Sequence, residues 1–189
     1  ERVLGKEHPN TLTSVRNLAE LYLDQGRYGE AEPLLRPTLE ASERVLGQEH
    51  PDTLTNLNNL AILYQSQGHY GEAEPLLRQV LAARERVLGK DHPNTLTSVN
   101  NLAMLYKIQG RYDEAEPLLR RALETRERVQ GKGHPDTLTS INNLTELYKT
   151  QGRYNEAEPL LLRALEAKTV KSIEVGPQQL IENKNQPLQ

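Results

Sequence analysis

Four histidines, His8, His50, His92 and His134, each followed by proline, are the first residues in this 189-residue chain whose type and spacing suggest chemistry. Imidazole is a common zinc ligand, so a regular row of four raises the question of a metal ladder. The spacing argues against one. Successive histidines lie 42 residues apart, at equivalent points of neighbouring helices. Packed helices stand roughly 8–10 Å apart, whereas zinc draws its ligands in to about 2.0–2.3 Å. A role at a helix start, beside proline, is the better reading, and no metal or other cofactor is implied. A second candidate is the adjacent asparagines Asn58-Asn59, Asn100-Asn101 and Asn142-Asn143, with Arg16-Asn17 at the corresponding place. Asparagine is a poor helix former, yet these sit in helical sequence. A carboxamide carries two donors and an acceptor on a short stem, so a ladder of them could bond the backbone of an extended peptide. The second asparagine of each pair could equally satisfy buried groups of a neighbouring helix or loop.

The elements that position these residues follow from an internal repeat. ERVLG begins at 1, 43 and 85 and ERVQG at 127, and 23 of the 42 repeat positions are identical in all four copies. Each copy reads as two helices. The first starts near His8-Pro9-Asn10, with Pro at the first helical position or Asn/Asp as N-cap, and stops at Gly26. The second is expected to start at Gly29, Gly71, Asp113 or Asn155 acting as N-cap, with Glu32 resembling half of a capping box. Ala31, Leu34, Leu35, Leu39 and Val45 give its buried stripe, and Pro37, present in the first copy alone, is expected to kink it. The eight tyrosines fall mainly at packing positions.

The pattern NNLAxLYxxQGxYxEAEPLLxxxL followed by ERVLGxxHP resembles the tetratricopeptide repeats of the kinesin light chain type. Leu18, Ala19, Tyr22, Gly26, Tyr28, Ala31 and Leu39 match that family's packing positions, with Thr145, Thr38 and Val80 as departures in single copies. The resemblance implies an all-α, right-handed α-solenoid of four 42-residue helix-turn-helix units, 1–42, 43–84, 85–126 and 127–168, followed by a divergent segment 169–189. In that family the first helices line a concave groove. A helical wheel puts Leu12, Val15, Leu18, Ala19 and Tyr22 on the packed side and leaves a second face open. Along the array this face carries Arg16, Asn17, Glu20, Leu23 and Asp24, then Asn58, Asn59, Ile62, Gln65 and Ser66. It continues with Asn100, Asn101, Met104, Lys107 and Ile108, and ends with Asn142, Asn143, Glu146, Lys149 and Thr150. Ile62, Met104 and Ile108 form an apolar middle on a face expected to be wet. Lys107 and Lys149 make one end basic, while Glu20 and Asp24 make the other acidic. Some relatives clamp a C-terminal carboxylate, but Glu20 and Thr55 stand where that clamp would want Asn and Lys.

Bulk properties narrow the function. A net charge of −3 provides no field for nucleic acid or anionic membrane. No stretch approaches the roughly 20 apolar residues of a membrane span. The absence of cysteine fits a cytoplasmic protein. GKGHPD at 131–136 lacks the last glycine and the preceding strand of a dinucleotide site, and no nucleophile elbow or phosphate loop is present. The expectation is a non-enzymatic scaffold that grips a protein partner or extended peptide in the first-helix groove. The alternatives are a structural solenoid that self-associates end to end and a sensor region of a larger signalling protein. The opening ERVLG suggests a preceding repeat. Leu180 with Ile181 suggests a cap over the last one, with a disordered tail, a linker to another domain or a groove-occupying peptide as the other readings of 169–189.

Overall fold

The computed structural model describes residue 5 and residues 7–167. These residues are all-α. The helices are α1 (Pro9–Asp24), α2 (Tyr28–Leu46), α3 (Pro51–Ser66), α4 (Tyr70–Leu88), α5 (Pro93–Ile108), α6 (Tyr112–Gln130) and α7 (Pro135–Thr150). Residues 154–167 are also helical and are designated α8. The expected cap formed by Leu180 and Ile181 lies outside the described residues.

Each first helix starts as its His-Pro pair predicts. Proline occupies N1, where a missing N–H costs nothing. The histidine is the N-cap, and its Nδ1 accepts from the backbone N–H two residues on: Asn10 at 3.2 Å, Asp52 at 3.2 Å, Asn94 at 3.1 Å and Asp136 at 3.2 Å. This hydrogen bond is the helix-start role expected of the histidine row.

The other end is set by one glycine. Gly26 has φ of 71°, and Gly68, Gly110 and Gly152 have φ of 80°, 75° and 73°. This left-handed conformation lets the chain close a Schellman turn. Gly110 N–H donates to Lys107 O at 3.0 Å and Arg111 N–H to Tyr106 O at 2.8 Å, and the other three copies repeat the pair. The motif wants a contact between the residues it joins, and here that contact is a stack. The Arg27, Arg111 and Arg153 guanidinium carbons lie 4.3, 4.2 and 4.4 Å from the ring centres of Tyr22, Tyr106 and Tyr148.

The same turn corrects the expected start of the second helices. α2 and α4 begin at Tyr28 and Tyr70, with Arg27 and His69 as N-caps and no side-chain cap bond. Gly29 and its equivalents therefore lie in the first turn, not at the cap. Arg27 ends the Schellman turn with its N–H, and its carbonyl accepts from Ala31 N–H at 3.1 Å. One residue thus closes one helix and opens the next. Glu32 accepts from Arg36 Nε at 2.9 Å rather than reaching back to a cap.

Packing follows the small and apolar stripe with two departures. Ala19, Ala31 and Leu35 are fully buried. Val45, expected on the stripe, is 45% exposed, and Val87 and Val129 behave alike, so the stripe ends near Ser42, Arg84 and Arg126. Leu18, also expected to be packed, is 41% exposed, while Leu60, Leu102 and Leu144 are buried. Those three lie on first helices that follow a second helix in the chain; no such helix precedes α1 among the described residues. Pro37 leaves α2 at 19 residues, as long as α4 and α6.

The chain divides into two compact units, residues 1–111 and 112–189. In the first, α1 to α5 pack each upon the next, and α1 also touches α3 and α3 touches α5. In the second, α6 packs on α7. A Gly110→Ala change forces an L-residue into the left-handed region. It should cost about 1–2 kcal/mol of unfolding free energy, read by urea denaturation, whereas Gly29→Ala, in helical backbone with nothing within 4 Å of its Cβ position, should not destabilise.

Candidate peptide-binding face and the repeat junctions

In the first unit α1, α3 and α5 are joined through the residues singled out for peptide capture. Arg16 donates to Asp52 Oδ1 at 2.7 Å, and its Nε lies 3.8 Å from Glu20. Asn59 Nδ2 donates to Glu20 Oε1 at 2.7 Å, and Asn101 Nδ2 donates to Asn58 Oδ1 at 2.9 Å. The second asparagine of one repeat therefore bonds the first helix of the repeat before it. Asn58, Asn59 and Asn100 are each only 6% exposed. The wheel places them on a wet face; the approach of successive first helices buries them. Asn17 is exposed and Asn101 half-buried.

The apolar middle is more accessible. Ile62, Gln65, Met104 and Lys107 are half-buried and Ile108 is 49% exposed. Leu63 and Leu105, neighbours of these residues on the same helices, are fully buried. In the second unit α7 carries exposed Asn142, half-buried Asn143 and exposed Glu146 and Lys149, the last two paired at 3.2 Å.

A stronger electrostatic feature lies where a second helix meets the next first helix. Glu74 on α4 accepts from Arg111 at 2.6 Å, from the Tyr106 hydroxyl at 3.3 Å and from Arg78, one turn along its own helix, at 3.0 Å. Glu116 on α6 repeats this with Arg153, Tyr148 at 3.0 Å and Arg120 at 2.9 Å. Arg153 above all, then Arg120 and Tyr148, holds the Glu116 carboxyl at about 2. Burial first and Glu116 second push the Tyr148 hydroxyl up to about 12. Glu32–Arg36 reads from sequence as an ordinary surface pair; its equivalents at 74 and 116 are the acceptors that hold adjacent repeats.

Sequence reasoning missed Arg84 and Arg126, only 5% and 4% exposed. Arg84 Nη1 donates to Ser98 Oγ at 2.9 Å and to Asn94 O at 3.1 Å. Arg126 makes the matching bonds to Ser140 at 2.8 Å and Asp136 O at 3.1 Å. Burial lowers the pKa of both guanidiniums. In the first copy the lengths are exchanged: Asn56 Nδ2 donates to Ser42 Oγ at 2.7 Å. That reciprocal change, short with long, was visible by comparing copies.

The fold and this packing define the class. The tetratricopeptide repeat profile matches residues 12–86, 72–116 and 96–169, and the chain belongs to that family. Its repeats are of the kinesin light chain type. A crystal structure from Podosopora anserina, of a protein described as a kinesin light chain with nearly identical TPR-like repeats, is 32% identical. That match covers 90% of this chain and 81% of that one, with a TM-score of 0.70, and a point variant of the same protein gives 0.74. BtubC (BKLC) from P. vanneervenii, at 24% identity over 91% of this chain and 68% of its own, has a TM-score of 0.75 and shares the fold. No curated protein matches the chain. Repeats of this family mediate protein–protein interaction. Among the described residues no helix is long and apolar enough to cross a membrane.

Two expectations follow. Because Glu116 is held low in the folded protein, its contribution is complete above its ordinary value of 4.5 and is lost as pH falls toward about 2. Acid unfolding followed by circular dichroism should show Glu116→Gln less stable at neutral pH by roughly 1–3 kcal/mol, with the difference shrinking across that window. Arg84→Ala strips a buried donor from Ser98 and should cost about 1–3 kcal/mol. A cycle with Ser98→Ala should give a coupling of about 0.5 kcal/mol or more.

Proposed function

We propose that the α1, α3 and α5 face binds an extended segment of a partner protein, so that the chain acts as a cytoplasmic adaptor or scaffold and not as an enzyme. The observation that carries this reading is the accessibility of Ile62, Met104 and Ile108 on helices whose packing positions are closed. Apolar side chains left open beside polar ones suit partner residues that alternate along an extended strand. Lys107 beside them favours an acidic residue in the ligand. Asn59 and Asn101 each commit one N–H to a neighbouring helix. The half-buried Asn101 carboxamide retains a second donor and acceptor capacity for a peptide backbone, whereas Asn59, as buried as Asn58, serves as a support. Asn17, Asn58, Asn100, Gln65 and Arg16 complete the proposed set on this unit, with Asn58, Asn59 and Asn100 as supports and not direct contacts. On the second unit Asn142, Asn143, Glu146 and Lys149 of α7 are proposed, separately, as the corresponding contacts.

The test is a random-peptide display selection on the 189-residue protein, with selected peptides then titrated against Met104→Glu. The reading expects a shared extended motif with apolar residues and an acid. It also expects affinity to fall at least ~10-fold on the variant, the effect of about 1.4 kcal/mol, with helicity and unfolding midpoint unchanged. A motif bound equally by Met104→Glu, or no motif from a protein verified as folded, would sink it.

A further inference from the structure

Among the described residues the first and last helices, α1 and α8, expose what the α2/α3 and α6/α7 junctions bury. At the α2/α3 junction, Leu35 on the second helix and Leu60 and Leu63 on the next first helix are 0%, 6% and 0% exposed. At α6/α7 the equivalents Leu119, Leu144 and Leu147 are 0%, 2% and 0% exposed. On α8 the equivalent Leu161 is 43% exposed, and on α1 Leu18 and Leu21 are 41% and 50% exposed. One face is the second-helix half of a junction, and the other is the first-helix half.

The polar groups at these faces are complementary as well. Glu158 on α8 is the counterpart of Glu74 and Glu116, which accept from an arginine and a tyrosine of the following repeat. Arg27 and Tyr22 on the other face are the counterparts of those donors. Arg27 already stacks on Tyr22 and bonds Gln25 at 2.9 Å, the pose that Arg111 and Arg153 hold when they reach their glutamates. The asparagine tie has loose ends in the same places. Asn101 donates to Asn58 at 2.9 Å; the corresponding donor Asn17 and acceptor Asn142 are both exposed. The last copy also replaces the arginine of positions 36, 78 and 120 with Leu162, which is 53% exposed. In the earlier copies that arginine lies 5.5–5.7 Å from the next tyrosine ring. Leucine there makes the α8 face more apolar.

We propose that two copies of this chain dock head to tail, α8 of one receiving α1 of the other in the geometry of the chain's own α2/α3 and α6/α7 junctions. Leu161 and Leu162 pack on Leu18 and Leu21 of the second copy. Glu158 accepts from its Arg27 and Tyr22, and Asn142 accepts from its Asn17. The contact is heterologous, so each copy keeps one donor face and one acceptor face for further addition.

Sedimentation equilibrium over a wide range of protein concentration tests this. The mass should rise above 21.4 kDa with concentration, and Leu18→Glu/Leu21→Glu should hold the chain at the monomer mass. Arg27→Glu alone and Glu158→Arg alone should each weaken association at least ~10-fold. An equimolar mixture of the two should associate again, because each then meets an opposite charge. Met104→Glu should leave the mass unchanged, which separates this contact from peptide binding. A wild-type chain that stays monomeric throughout overturns the proposal in favour of cover by residues 168–189 or by a different protein. Association indifferent to the Leu18/Leu21 pair, or unrestored on mixing, overturns it in favour of another surface.

Discussion

The carboxylate of Glu74, and that of Glu116 in the second unit, is where one repeat takes hold of the next. Each sits on a second helix and gathers two groups from the following repeat, an arginine and a tyrosine hydroxyl. Both donors are aimed by one local event, the left-handed glycine that closes the first helix. That glycine permits the Schellman turn, the turn stacks arginine on tyrosine, and the stacked pair presents its donors to the carboxylate. Without positive φ at Gly110 the arginine would leave the ring, and Glu74 would lose its main partner. Local backbone conformation and repeat-to-repeat cohesion are therefore one constraint.

This arrangement suits a chain with no Phe or Trp. Small alanines let helices approach closely, and leucines fill the stripe, but each repeat buries only a narrow apolar band. Polar ties supply the rest of the specificity of register: Arg84 with Ser98, Arg126 with Ser140, Asn101 with Asn58. Such groups cost desolvation, and they stabilise only when their partners are present. A repeat that slipped by one residue would strand them. The same logic explains why first-helix side chains divide into those spent on neighbours and those left over. Ile62, Met104 and Ile108 are left over, and function is sought among them.

Much of the fold was legible in the sequence. The 42-residue period, the His-Pro starts and the Gly26-type stops could be read directly, because each rests on a local rule about caps or φ. Helix starts at Gly29 were misjudged because Arg27 serves two helices at once, which no cap preference encodes. The Glu74 cluster escaped notice because its arginine lies 37 residues away, and a helical wheel sees only its own helix. The asparagines were half legible. Their face was clear, but their burial depends on how closely α1, α3 and α5 approach. The exchange of Ser42–Asn56 for Arg84–Ser98 was available to a comparison of copies that paired positions across repeats.

The most direct test of this account is a double-mutant cycle between Glu74 and Arg111, each changed to alanine, with unfolding free energies from urea titration. If the carboxylate joins the repeats, the two residues should couple by about 1.5 kcal/mol or more, the range of a hydrogen bond to a charged group. Additivity within about 0.5 kcal/mol would contradict it, and would leave cohesion between repeats to the leucine stripe and the Arg84 and Asn101 ties.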